Sequence, residues 1–129
     1  MSQIPLLLID DDPDIATALT DTLEHDEYAV TWVSTGEEAI EKIEERHFTI
    51  ALLDVGLPDV DGRLVLRVLH EHDPSLPIIV LTAFDTPEKT TNMVAHGAFA
   101  YHCKPYRAEE LKITLRHALE ARVRDSHPL

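Results

Sequence analysis

The chain has 129 residues, 44% of them hydrophobic and 27% charged, the size and balance of one soluble globular domain that folds without a disulfide or structural metal. Its 24 Asp and Glu against 11 Lys and Arg leave a net charge of -13, which disfavours direct contact with nucleic acid or an anionic membrane surface. Cys103 is the only cysteine, no apolar run reaches membrane-span length, and the first residues lack a secretory signal, so a cytoplasmic protein is expected.

Two hydrophobic periods alternate along the chain. Residues 4–9 form an apolar run of strand length, unbroken over 6–9, as in a parallel strand covered on both faces. Asp12 before Pro13 marks a helix start, and Ile15, Leu19 and Leu23 share one face beyond it. Residues 28–33 form a second run, and Thr31 within it predicts an edge strand. Thr35-Gly-Glu-Glu38 has capping-box spacing ahead of a helix carrying Ala39, Ile40 and Ile43. Residues 49–53 form the third strand, and the next helix presents Leu64, Val65, Val68 and Leu69.

Residues 77–81 form the fourth strand. Thr86-Pro87 repeats the cap-and-proline signal before a helix over 87–96. That helix is the weakest: Thr90, Thr91 and Asn92 are poor helix formers, and only Met93, Val94 and Ala95 supply an apolar face. Residues 98–102, containing His102, read as a second edge strand. Leu111, Leu115, Ala118, Leu119 and Arg122 follow helical spacing, after which the pattern lapses. The expected organisation is a domain over residues 1–122 and a tail or start of a linker over 123–129. Five strands alternating with five helices imply an α/β fold with a parallel sheet and right-handed crossovers.

In an open parallel sheet, ligands bind beyond the carboxyl ends of the strands. Asp10, Asp11 and Asp12 follow the first strand, Ser34 and Thr35 the second, Asp54 the third, Thr82 the fourth and Lys104 the fifth. Taken singly, Asp10–Asp12 also fit a capped turn, Asp54 a turn, and Thr82 a cap for the segment that follows. Their joint placement at successive strand ends points instead to one site. Converging carboxylates repel one another without a cation, and a few oxygen ligands suit Mg²⁺, which needs one or two carboxylates and keeps several waters. A lysine and a hydroxyl opposite them suit an anion arriving on that metal. The eight histidines lie mostly in charged stretches and show no metal-ligand spacing.

Leu6-Leu-Leu-Ile-Asp-Asp-Asp-Pro13, Leu53-Asp-Val-Gly-Leu-Pro-Asp-Val-Asp-Gly62, Val80-Leu-Thr-Ala83 and Cys103-Lys-Pro105 together resemble the receiver domain of two-component response regulators. The resemblance covers essentially the whole chain and implies a flavodoxin-like (βα)5 fold with strand order 2-1-3-4-5. By position it implies Asp54 as the phospho-acceptor, Asp11 as a direct Mg²⁺ ligand, Asp10 as a ligand through water, and Gly56 as the source of a backbone carbonyl to the metal. It implies Thr82 as the switch hydroxyl, Lys104 as the phosphate-contacting lysine, Tyr101 as the switch aromatic, and a cis Lys104–Pro105 bond. The partners implied are a sensor histidine kinase or phosphotransfer protein and a second copy on phosphorylation, with no nucleic acid or membrane bound by this domain. The face that switches would combine residues 87–96, the fifth strand and the last helix. Two departures stand out: Tyr106-Arg107 replaces the aspartate often found after Lys-Pro, and Gly56 is smaller than many residues at its position.

Two rival classes share this architecture. A Mg²⁺-dependent phosphohydrolase also uses aspartates after a parallel strand, but 129 residues leave no room for a cap domain. A flavin-binding electron carrier needs a Ser/Thr/Gly-rich phosphate loop after the first strand, where Asp10, Asp11 and Asp12 repel phosphate. The favoured reading is a switch that catalyses its own phosphorylation and dephosphorylation, rather than a turnover enzyme.

Overall fold

The unbroken apolar runs stack as the inner strands of one parallel sheet. The computed structural model describes residues 3–82, 97–103 and 107–125, with side chains through residue 122. Strands β1 (Ile4–Ile9), β2 (Tyr28–Val33), β3 (Ile50–Asp54), β4 (Ile78–Thr82) and β5 (Ala100–Cys103) lie in the order β2-β1-β3-β4-β5. Helices α1 (Pro13–Glu24), α2 (Gly36–Glu45), α3 (Gly62–His72) and α4 (Ala108–Asp125) complete the described elements. The expected helix over 87–96 and the Thr86-Pro87 signal lie outside the described residues.

Alternate side chains of each strand feed opposite layers. Leu7, Ile9, Ala51, Leu53, Ile78 and Val80 pack with Val65, Leu66 and Leu69 of α3 and Ile43 of α2. Leu6, Leu8, Ile50, Leu52, Ile79 and Leu81 pack with Leu19 and Leu23 of α1 and Leu111, Leu115 and Ala118 of α4. Every residue of β3 and β4 is buried, whereas β2 and β5 carry half-buried and exposed positions, as their polar interruptions predict.

The two predicted caps that lie among the described residues form. Asp12 accepts from the N–H groups of Asp14 and Ile15, and Thr35 Oγ1 accepts from Glu38 N. Glu38 does not close a standard capping box. Its Oε1 accepts from the hydroxyls of Ser34 and Thr35 instead, each at 3.1 Å. The α3 face differs from expectation: Leu64 is 49% exposed and Leu66 is fully buried. The stripe facing the sheet is Gly62, Val65, Leu66 and Leu69, an i, i+3, i+4, i+7 set that leaves position 64 outside it. On α1, Ala16 is buried while Ile15 is half-buried.

Arg122 ends the apolar face of α4 for a structural reason. Its guanidinium donates to Ser75 O at 2.8 Å and reaches Asp73 at 4.0 Å, tying the last helix to the loop after α3. The helix itself runs to Asp125, past the point where the apolar pattern lapses.

Candidate functional site

Register brings the predicted acids to one edge. Ile9 pairs with Leu53, so Asp10 and Asp54 are the next residues on neighbouring strands. Asp54 pairs with Leu81 and Thr82 with Cys103. Asp54 and Thr82 are thus the last residues of β3 and β4, one position deeper than the apolar runs alone indicate. Asp10 and Thr82 are fully buried, and Asp54 is 5% exposed. Asp10, Asp11 and Asp54 each place a carboxylate oxygen within 4.8 Å of the others. Asp11 is exposed. Two buried carboxylates and one accessible one form an all-oxygen donor set, which fits a hard divalent cation such as Mg²⁺.

Backbone donors steady these groups. Gly56 N–H donates to Asp54 Oδ1 at 2.9 Å, and Asp12 N–H donates to Asp10 Oδ1 at 2.9 Å. Gly56 is exposed, and a Cβ there would meet Asp54 Oδ1 at an ordinary 3.5 Å. The small residue at this position therefore reflects no steric demand. Tyr101 is 41% exposed on β5, level with Val80 rather than with Thr82. Lys104 and the Lys104–Pro105 bond lie outside the described residues. His102 Nε2 lies 2.7 Å from Thr114 Oγ1 and joins β5 to α4. Burial holds the His102 pKa below its ordinary value, against an opposing pull from Glu110.

Three participants escaped the sequence reading. Asp61 caps α3 by accepting from Arg63 N. Asp59, in the loop after β3, accepts from the N–H groups of Gly36 and Glu37 at 3.0 and 3.1 Å. It therefore binds the loop that follows the candidate acceptor to the start of α2. Trp32, the only tryptophan, donates from its indole N–H to Asp10 O at 2.8 Å. Asp61 alone had a local signal, an aspartate directly before a helix. The Asp59 and Trp32 partners lie 23 and 22 residues away, and no short-range pattern reveals them.

The N–H of Gly36, foremost, holds the Asp59 carboxyl below its ordinary pKa of 3.8, with Glu37 adding to the effect and partial desolvation opposing it. A carboxyl depressed in the fold stabilises it fully above the ordinary value and loses that contribution as pH falls through the depressed one. Asp59→Asn is expected to melt at a lower temperature than the wild type at pH 7. The gap should close as both are acidified below about pH 4. Thermal melts across pH check this, and a gap that persists unchanged into acid counts against the charge-dependent tie.

Comparison with known proteins agrees with this arrangement. Residues 6–116 match the family described as response regulator receiver domain. The uncharacterized transcriptional regulatory protein YkoG of Bacillus subtilis is 39% identical over 115 residues, covering 88% of this chain and 50% of that protein. The chain thus spans about half or less of the curated relatives it matches. The crystal structure of a CheY-like receiver domain protein from Methanospirillum hungatei superposes with a TM-score of 0.92 at 30% identity, covering 97% of this chain and all of that one. The beryllofluoride-activated NtrC4 receiver domain dimer gives 0.87 at 30% identity, over 92% of this chain and 98% of that one. With this strand order, this acidic edge and a family match over most of its length, the chain belongs to the receiver domains of two-component response regulators.

Proposed function

We propose that this receiver accepts a phosphoryl group on Asp54 from the phosphohistidine of a sensor histidine kinase or phosphotransfer protein. The observation that carries the reading is the convergence of Asp10, Asp11 and Asp54 oxygens within 4.8 Å at the carboxyl edge of the sheet. An Asp54 oxygen forms the new P–O bond, the donor's P–N bond breaks, and its electron pair returns to the imidazole. Asp10, Asp11, Asp54 and the Gly56 carbonyl are the groups we assign to Mg²⁺, and Lys104 the group we assign to the phosphoryl oxygens. When bound, Mg²⁺ offsets negative charge on the carboxylates and on the transferring group. The chain's own work is positioning: a buried Asp54, held by Gly56 N–H, presents one oxygen at a fixed place. Incubation with acetyl phosphate tests the reading. Intact mass is expected to show one added phosphoryl group with Mg²⁺ and none without it; uptake indifferent to Mg²⁺ would overturn it.

The domain is a switch that modifies itself and then hydrolyses the acyl phosphate, rather than an enzyme acting on a separate substrate pool. Phosphorylation adds nearly two negative charges and three acceptor oxygens at Asp54. The Thr82 hydroxyl, one position beyond Leu81 on the neighbouring strand, is the donor proposed to move toward them. Tyr101 is the aromatic proposed to follow, and the face of residues 87–96, β5 and α4 the surface that changes. That face then controls an output partner or pairs with a second copy. The curated relatives include transcriptional regulators, and an activated receiver dimer is among the structural neighbours. The acidic charge disfavours direct nucleic-acid binding by this domain, and we assign it a cytoplasmic signalling role, with residues 1–122 as the receiver and 123–129 as a tail or the start of a linker. Thr82→Ala is expected to accept the phosphoryl group normally yet lose the phosphorylation-dependent change in amide exchange over residues 83–106. A wild-type exchange response in that variant would place the coupling elsewhere.

A further inference from the structure

The proposed metal site explains its carboxylates but leaves open what holds their backbone. The β1–β2 ladder runs to the pair Ile9 and Val33, and Asp10 N–H continues it by donating to Val33 O at 3.1 Å. β2 ends at Val33. Beyond that point the Asp10 carbonyl is met by a side chain: the indole N–H of Trp32 donates to it at 2.8 Å. Trp32 shares the α1 side of the edge strand with Tyr28 and Val30, which pack into that layer. It is nevertheless 42% exposed, so burial alone does not account for a tryptophan there.

The hydrogen bond acts on both members of the acidic pair. The Asp10 carbonyl and the Asp11 N–H belong to one rigid, planar peptide unit. Fixing its oxygen fixes the tilt of that unit, and with it the direction in which Asp11 leaves the strand. Asp10 is therefore gripped at its N–H by Val33, at its carbonyl by Trp32 and at its carboxylate by Asp12 N–H. A peptide plane held at only one end can tilt and carry the carboxylate oxygens by a few tenths of an ångström. That is the difference between the metal–oxygen distances of about 2.0–2.1 Å for Mg²⁺ and about 2.3–2.6 Å for Ca²⁺.

We infer that Trp32 is a positioning residue for the divalent-cation site, and that its indole N–H holds the Asp10–Asp11 peptide in the narrow geometry that favours Mg²⁺ over Ca²⁺. The inference rests on the receiver reading in placing a cation at Asp10, Asp11 and Asp54. It adds a determinant of which cation is held. Mg²⁺ requires near-ideal octahedral geometry, whereas Ca²⁺ accepts flexible, irregular coordination, so loosening the pair penalises Mg²⁺ more. A structural residue acting only through stability would weaken both ions alike.

The test is calorimetric titration of Mg²⁺ and of Ca²⁺ into the metal-free chain. Trp32→Phe keeps an aromatic ring and removes the donor. Replacement of Trp32 by benzothienylalanine keeps the shape of the indole with sulfur in place of N–H, and it guards against a packing defect in the Phe variant. Both replacements are expected to weaken Mg²⁺ about tenfold, the lower end for loss of an outer-shell partner, and Ca²⁺ about twofold or less. The preference for Mg²⁺ over Ca²⁺ thus falls about fivefold or more. Asp11→Ala should lose Mg²⁺ binding and confirms that the titration reports this site. An unchanged preference in the benzothienylalanine chain overturns the inference. If that occurs while wild type still takes up a phosphoryl group with Mg²⁺, the receiver reading stands and only the role of Trp32 falls. If the preference shifts but wild type accepts no phosphoryl group, Trp32 keeps its role and the phospho-acceptor reading falls. A wild type that binds neither cation overturns both.

Discussion

Asp54→Asn is expected to reduce phosphoryl uptake from a small phosphodonor to background, the largest functional effect of any single change in this chain. An amide oxygen is a far weaker nucleophile than a carboxylate oxygen, and no side-chain acid among the described residues takes its place. Asp10 is fully buried, with Oδ1 accepting from Asp12 N–H. Asp11 is accessible but is proposed to be occupied by the metal. The same substitution removes one of three converging charges, so Mg²⁺ affinity should fall about tenfold. Intact-mass analysis and metal titration check the two effects separately. Full labelling of the variant at another residue would remove Asp54 from its role.

The largest structural effect is expected from Gly62→Ala. Gly62 is the first residue of α3, after the Asp61 cap. A Cβ there would lie 2.3 Å from Val55 Cα and 2.8 Å from Val55 O. These are backbone atoms directly after Asp54, and they cannot swing aside as a side-chain tip can. The cost is about 3 kcal/mol, at the upper end for overpacking, or roughly 10 °C in melting temperature for a chain of this size. Because relief must come from moving Val55 or α3, the variant should also accept phosphate more slowly. Gly56→Ala is the matched control. It adds the same methyl at an exposed position with an ordinary 3.5 Å contact, so its melting temperature should stay within about 2 °C of wild type. Differential scanning calorimetry distinguishes the pair, and equal losses would show that the close approach at Gly62 relaxes without cost.

The layout of the sheet and most of the acidic site were legible because they follow from local chemistry. Unbroken apolar runs mark strands covered on both faces, and residues 6–9, 50–53 and 78–81 became the inner strands. Asp12 and Thr35 cap helices through partners within three residues. Parallel strands place their carboxyl ends together, so position after a strand alone gathers Asp10, Asp11, Asp54 and Thr82 at one edge. The misreadings are of another kind. Leu64 and Leu66 are equally apolar neighbours on one helix, and their spacing alone did not show which of them meets the sheet.

By itself, then, the sequence determined the α/β class with its parallel sheet and the identity of the converging carboxylates, because each depends on periodicity or on position relative to a strand end; the strand order followed only from the resemblance its motifs carry. Only the tertiary structure decided what holds those carboxylates in place. Asp59 reaches across to the start of α2, Trp32 to the Asp10 carbonyl, and Arg122 to Ser75, over 23, 22 and 47 residues of chain. Such bonds leave no periodic trace, since a donor and an acceptor distant in sequence are joined only by where the packed sheet and helices bring them.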